Sequence, residues 1–299
     1  MSTLDRVGRP SRACRDLLGR LHRNVMNPSP RCGAGRRESR SAMNRLVFLA
    51  TFLAAWFALD RLVTSPPNLL SATLALAVSG SLVVLGQRAL GTPWRGIPAS
   101  LGLGRPVVRA LVAAALVGGA YVASLLIAAR ALDVTLELRP NWPAVLLAAL
   151  VFHGLAEELV WRGFAFAHFR RTASFWRAVA KSVPLIALTH VPIVFTNGLA
   201  VGLLATTTAA TTCLPFAYLW ERGGRTVWAP AVLHGLIGSW QLFERTYPDR
   251  YTLVVLMSTI VIPMAVFLFR DRFLLGRRGA ARRPTPTHGP ATALELSER

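Results

Sequence analysis

Apolar residues fill eight stretches of this chain almost without interruption: residues 45–63, 68–86, 107–129, 142–161, 182–198, 199–220, 227–243 and 251–269. A helix needs about 20 mostly apolar residues to cross about 30 Å of hydrocarbon. Only helices and closed barrels satisfy their backbone groups in lipid, and runs this long and continuous point to helices. The pattern therefore predicts an all-α, polytopic transmembrane bundle of about eight spans. The fourth stretch is broken near its end by charge, and the fifth and seventh are short and carry polar groups. No internal repeat is visible.

The flanks have a different character. Residues 1–44 are rich in Arg, Ser, Gly and Pro without periodicity, and residues 270–299 are basic and then Thr-Pro-rich. Both are expected to be disordered tails around a membrane domain at 45–269. Composition agrees: 53% of residues are hydrophobic and 16% charged, against about 25% charged in a soluble domain. That argues against a soluble enzyme and against a wholly disordered protein. The net charge of +20 would by itself suggest nucleic-acid binding, but +12 of it lies in residues 1–45 and 270–299. With eight spans both tails fall on one side. That side then collects 27 Arg and Lys against 5 on the other. The positive-inside rule places both termini in the cytosol of a multi-pass cell-membrane protein. The charge is thus assigned to topology and to anionic lipid, with no nucleic-acid partner. Cys14, Cys32 and Cys213 follow no disulfide or zinc spacing, and no cleaved signal peptide is expected.

Ionisable groups inside the spans are few, and each costs roughly 2.5–3.5 kcal/mol on insertion scales. Asp60 and Arg109 lie near span ends and can snorkel. Glu157, Glu158, His190 and His234 cannot be explained that way. Counting about 1.5 Å per residue from the span starts places Glu157, His190 and His234 at one level, in the cytosolic third of the membrane. Convergence on a wet cavity is the economical arrangement. Neighbours on a helix point about 100° apart. If Glu157 faces the cavity, Glu158 faces elsewhere and pairs with Arg162 at i+4.

One carboxylate and two imidazoles inside a membrane suit hydrolysis. The Glu acts as general base toward water, and the imidazoles share its proton or donate to an oxyanion. The same three residues, Glu157, His190 and His234, are also a zinc-hydrolase donor set, so zinc is the cofactor to consider. His153, one turn before Glu157, is a further candidate hydrogen-bond partner. The Thr206 to Thr208 and Thr211–Thr212 runs are expected to bond backbone carbonyls. The zincin string, a nucleophile elbow and a P-loop are all absent.

At these residues the chain resembles the CPBP intramembrane proteases, relatives of the type II CAAX prenyl endopeptidase and of the bacterial Abi group. Glu157-Glu158-Leu159-Val160-Trp161-Arg162 looks like the family's Glu-Glu-x-x-x-Arg motif. His190 after Ile186-Ala187-Leu188-Thr189 matches Phe-x-x-x-His, and His234 matches the first residue of His-x-x-x-Asn/Asp. The resemblance covers residues 142–245. It implies an intramembrane endopeptidase in which Glu157 activates water, His190 assists, His234 stabilises the oxyanion, and Glu158 and Arg162 support the site. Its partners are then peptide or protein substrates and membrane lipid. The eukaryotic relatives act on a prenylated C-terminus. The preference here for Arg over Lys fits a high-GC bacterium, where such a substrate is not expected.

Two positions depart from the family pattern. Ile186 replaces the Phe of the second motif. Gly238 replaces the Asn or Asp of the third, and an Asn at 238 would be expected to project into the cavity beside His234. Gln241, seven residues after His234, shares its helix face and is a candidate substitute. Two rival readings remain open: a non-catalytic immunity or scaffold relative, supported by Gly238, and a proton-coupled transporter using Glu157.

Overall fold

The computed structural model describes residues 30–64, 66–244 and 249–269. Two compact units are distinguished, Met1–Leu49 and Ala50–Arg299. Most described residues are helical, and among them one isolated bridge, Leu138 to Phe243, stands in place of any strand. Helix α1 runs Pro30–Leu62. It starts well before the apolar stretch, so residues 30–44, read from sequence as part of a tail, are helical. The rest of both tails lies outside the described residues. Helix α2 is Leu69–Ala89, opened by Asn68, whose side chain accepts from the Ser71 amide. Helix α3 is Val108–Ala131. Helix α4 is continuous over Trp142–Arg170. Helix α5 is Phe175–Asn197, with Ser174 as its cap, and α6 is Leu199–Arg222. A single residue, Gly198 at φ +88°, joins α5 to α6. The chain reverses there in a conformation that glycine adopts without strain. Helix α7 is Trp228–Ile237, continued by a 3-10 segment over Gly238–Leu242. Helix α8, Asp249–Val261, likewise ends in a 3-10 stretch, Ile262–Leu268.

Seven helices among the described residues are long and apolar enough to cross a membrane. This is a multi-pass all-α membrane protein. The expected boundaries move in two places: the fourth span extends to Arg170, and the fifth begins at Phe175 rather than 182. The remaining predicted span, 227–243, is the exception in length. At its start the Val227 amide donates to the Gly102 carbonyl at 3.0 Å, and the Trp228 indole donates to Gly104 at 2.7 Å. At its end the Arg139 amide donates to Leu242 at 2.9 Å and the Glu244 amide to Glu137 at 2.8 Å. Gly102 and Gly104 precede α3, while Glu137 and Arg139 follow it. The α7 segment therefore runs from one end of α3 to the other. Ten α-helical and five 3-10 residues reach about 25 Å, because the tighter 3-10 turn rises further per residue. This segment is not among the seven helices long and apolar enough to cross a membrane, although it runs the length of α3.

The core is built from small residues that let helices approach closely. Ala110, Ala113, Ala114, Val117 and Tyr121 of α3 pack against Phe216 and Leu219 of α6 and against Leu233 and Ile237 of α7. The outward side chains are large and apolar, including Leu70, Leu116, Ile127, Phe195 and Leu203. A water-soluble protein does not expose such a surface over so many helices, whereas lipid-facing helices do.

Candidate functional site

The site forms where α4 and α7 cross. Both helices carry a glycine at the contact, directly after a histidine: His153-Gly154 on α4 and His234-Gly235 on α7. A Cβ on Gly154 would lie 2.7 Å from the Ala231 carbonyl oxygen, and one on Gly235 would lie 3.0 Å from Leu150 Cα. Without side chains there, the two backbones meet and the histidines beside them face one another. The His153 and His234 ring centroids are 5.8 Å apart.

Helix α4 is also locally underwound and widened. Residues Leu150–Ala156 and Leu159–Phe166 form π-helical turns on either side of the Glu157–Glu158 pair. In such turns successive residues rotate by less than the ~100° of a regular helix. The two neighbouring carboxylates consequently reach the same imidazole from its two sides. Glu158 Oε1 accepts from His234 Nδ1 at 2.7 Å, and Glu157 Oε2 lies 3.4 Å from His234 Nε2. The expected ion pair is present: Arg162 donates to Glu158 Oε1 at 2.8 Å, with both side chains buried. Glu158 is not among the cavity-lining residues, and beyond its pair with Arg162 it also ties that arginine to His234. The Arg162 guanidinium also lies over the Phe216 ring at 4.7 Å, and His234 stacks on that ring at 4.9 Å.

His153 proves to be a central member. Its Nδ1 is 3.3 Å from Glu157 Oε1, and its Nε2 is 2.6 Å from the Gln241 amide nitrogen. Gln241 is buried, so it is not the interfacial residue its position near a span end suggests. The 3-10 turn after α7 is what swings it under the His153 ring. Gly238 faces the same ring: a Cβ there would lie 3.0 Å from His153 Cδ2 and 3.6 Å from Ala149 Cβ. An Asn at 238 would therefore meet His153 rather than open cavity, which corrects the sequence expectation. The imidazole of His153 fills the space beside Gly238.

His190 stands apart from this cluster. Its Nδ1 bonds the Ile186 carbonyl at 2.8 Å and lies 3.3 Å from Thr189 Oγ1. It lines the same cavity as Glu157, His153 and His234, but it is not among the residues whose ligand atoms converge. Those are His153, Glu157 and His234, all within 4.8 Å of one another. The converging atoms thus include those of His153, whereas the donor set expected from sequence had His190. Ile186, at the family's Phe position, lines the cavity too.

The cavity measures about 760 Å³ and is lined by residues of α4, α5, α6, α7 and α8. Its surface is mostly apolar, and beyond the Glu157 and histidine cluster Thr208, Thr212, Thr252 and Thr259 are polar interruptions. Most of the threonines of α6 bond carbonyls one turn back, as expected, for example Thr212 Oγ1 to Thr208 at 2.8 Å. His168 lies beyond the site toward the end of α4, and His22 and His288 fall outside the described residues.

His153 is the residue whose central place sequence reasoning did not anticipate. The signal that could have raised it is the repeated His-Gly dipeptide, since each glycine marks a close helix crossing beside a histidine. The sequence profile of one family, type II CAAX prenyl endopeptidase Rce1-like, matches residues 139–240. That stretch contains Glu157, Glu158, Arg162, His190, His234 and Gly238. No curated protein matches the chain.

Proposed function

Residues 139–240 make this chain a member of the type II CAAX prenyl endopeptidase (CPBP) family, and we propose that it is an intramembrane endopeptidase hydrolysing peptides or membrane-associated proteins that reach it from the cytosolic side. The observation that carries this reading is the setting of Glu157. It offers each of its oxygens to a different imidazole, at 3.3 and 3.4 Å, on the wall of an apolar cavity.

In this reading Glu157 takes a proton from water as the water oxygen attacks the scissile carbonyl carbon. The carbonyl becomes an oxyanion, and His234 supplies the stabilising N–H from Nε2 while Glu158 holds its Nδ1–H. The C–N bond then breaks, and the proton held by Glu157 passes to the leaving amine. His190, oriented by the Ile186 carbonyl, presents Nε2 from another wall of the cavity and assists that transfer. Glu158, Arg162 and Gln241 are positioning residues, because they act through His234 and His153. The basic tails and loops support a cytosolic approach by substrates.

A non-catalytic relative is favoured only by Gly238. The ring of His153 beside that glycine supports the hydrolase reading instead, since the cluster keeps a full set of polar groups. The deciding experiment exposes detergent-solubilised protein to a mixed peptide library, with Glu157→Gln beside the wild type. Cleavage by the wild type and none by the variant is expected. Equal cleavage by both, or by neither, would remove the endopeptidase reading.

A further inference from the structure

We propose that the corner where α2 ends beside the α4–α5 turn, built on Arg171, Gln87 and Lys181, binds the phosphate of an anionic phospholipid. It shares no residue with the cavity around Glu157, and it does not depend on the hydrolase reading.

The first observation is charge without counterions. Residues 87–106 and 163–181, which hold the α2–α3 and α4–α5 connections, carry seven Arg and Lys and no Asp or Glu. Arg170 meets a carboxylate, that of Glu221 at 2.9 Å. The other six form no ion pair among the described residues. Counter-charge for this face has to come from outside the chain.

The second is the way Arg171 is held. Its guanidinium donates to Gln87 Oε1 at 2.9 Å, and Thr92 Oγ1 donates to the same oxygen at 3.0 Å. The Thr92 amide donates in turn to the Gln87 carbonyl at 2.9 Å, so the turn after α2 closes on this residue. Gln87 is fully buried. Burying an amide is costly unless it is bonded, and here its bond fixes the side chain of an exposed arginine. A side chain fixed in advance loses less entropy when a ligand arrives. The other guanidinium N–H groups have no acceptor among the described residues. Gln87 Nε2 is a buried donor that also has none. The assignment of that amide is secure, because an arginine only donates and therefore marks Oε1 as the acceptor. Donors in excess of acceptors, on a planar cationic fork, select a phosphate group.

The third is a second cation on another helix. Lys181 of α5 lies over the Phe169 ring at 5.9 Å. The charges of Arg171 and Lys181 both reach His168, in the last turn of α4. Two cations thus flank one helix end.

The fourth decides for a lipid over a free ion. Leu74, Val78, Leu85 and Arg88 are exposed on one face of α2, so an apolar stripe leads to the cationic end of the helix. Trp94 and Trp176, 60% and 67% exposed, stand at the two connections. Indoles placed this way mark the headgroup level of a bilayer. Acyl chains lying along the stripe bring a phosphate to the level of Arg171, whereas a free ion uses neither the stripe nor the indoles. A zwitterionic headgroup brings its own cation to the same place, so a net anionic lipid is preferred. Arg170 and Arg171 tie the end of α4 to α6 and α2. A lipid bound there stabilises the helix that carries Glu157.

The test uses full-length protein with Cys14→Ser and Cys32→Ser, delipidated in neutral detergent. Native mass spectrometry counts bound lipid while phosphatidylglycerol or phosphatidylcholine is titrated. Thermal exposure of Cys213, which is buried, reports stability. One tightly held phosphatidylglycerol is expected, preferred over phosphatidylcholine at least about tenfold, with a rise in Tm of at least about 3 °C. Arg171→Gln with Lys181→Gln should weaken it about thirtyfold, at roughly a factor of five per cation. Gln87→Leu, which leaves both cations in place, should weaken it about three- to tenfold. Arg282→Gln with Arg283→Gln removes the same charge from the C-terminal tail and should leave binding unchanged. Inorganic phosphate at millimolar concentration should neither displace the lipid nor raise Tm. Unchanged binding in Arg171→Gln with Lys181→Gln overturns the proposal. An equal loss in the tail variant does so too, because it shows diffuse attraction. Stabilisation by inorganic phosphate that matches the lipid's also overturns it, because the site is then one for the free ion. Where the double variant exposes Cys213 before heating, Lys181→Gln alone, at an exposed position, carries the test: a loss of about fivefold upholds the proposal and no loss overturns it. Cleavage is not measured, so either result leaves the endopeptidase reading to its own experiment.

Discussion

Removing Arg162 while leaving Glu158 in place is expected to be far more damaging than removing both. Glu158 is fully buried, and its Oε1 accepts from Arg162 at 2.8 Å and from His234 at 2.7 Å. Its Oε2 has no hydrogen-bond partner among the described residues. Arg162→Met keeps much of the side-chain volume but strands that carboxylate. Breaking a buried pair by removing one partner costs about 3–5 kcal/mol. The lost cation–π contact with Phe216 adds to this. For a chain of this size about 2–4 °C of Tm accompanies each kcal/mol, so a fall of about 6–20 °C is expected. Glu158→Gln with Arg162→Met removes both charges and keeps an acceptor for His234. It should recover most of the loss, with a coupling energy of at least about 2 kcal/mol in the double-mutant cycle. The readout is thermal exposure of Cys213, which is buried, with a thiol-reactive dye in a Cys14→Ser, Cys32→Ser background. Arg170→Met is the control. Its partner Glu221 retains Arg225 at 3.1 Å, so its shift should be several-fold smaller. A shift below about 2 °C for Arg162→Met, or strictly additive single and double variants, would refute the reasoning.

Other perturbations test the geometry around that pair. Gly154→Ala places a methyl 2.7 Å from the Ala231 carbonyl. It should cost about 1–3 kcal/mol, lower cleavage at least about tenfold by parting α4 from α7, and show as a lower Tm on the Cys213 assay. Gly238→Asn pushes on His153 Cδ2, 3.0 Å from the new Cβ. Because Gln241 and Glu157 already hold that ring, cleavage should fall rather than rise, and an activity gain would show that the ring is free to yield. Impermeant thiol labelling of whole cells should modify Thr135→Cys and spare Pro98→Cys, since these positions lie at opposite ends of α3. Labelling of Pro98→Cys would reverse the proposed orientation.

Much of the architecture follows from the chain alone, because lipid imposes one strong local rule. Each backbone must satisfy its own hydrogen bonds, so a long apolar run can only be a helix. That rule suffices for α2, α3 and α6, whose ends fall within a few residues of the apolar runs. It underestimates α4 and α5, since an intact helix continues past the apolar run when its next residues, such as Arg170, find partners in Glu221 at 2.9 Å. It also misjudges α7, read from its apolar run as a span, where fifteen residues with a change to 3-10 turns reach about 25 Å. In the site, the residue types and their order along the chain identify Glu157, Glu158, Arg162 and His234, because ionisable groups in lipid are costly enough to be conspicuous. What each one faces is a tertiary matter. Glu158 meets His234 across the helix contact, and two glycines let α4 and α7 meet closely enough to bring His153 and Glu157 to His234. Gly238 and Gln241 then define the other side of that imidazole. Periodicity assumes a regular helix and an average helix spacing, and this site depends on departures from both.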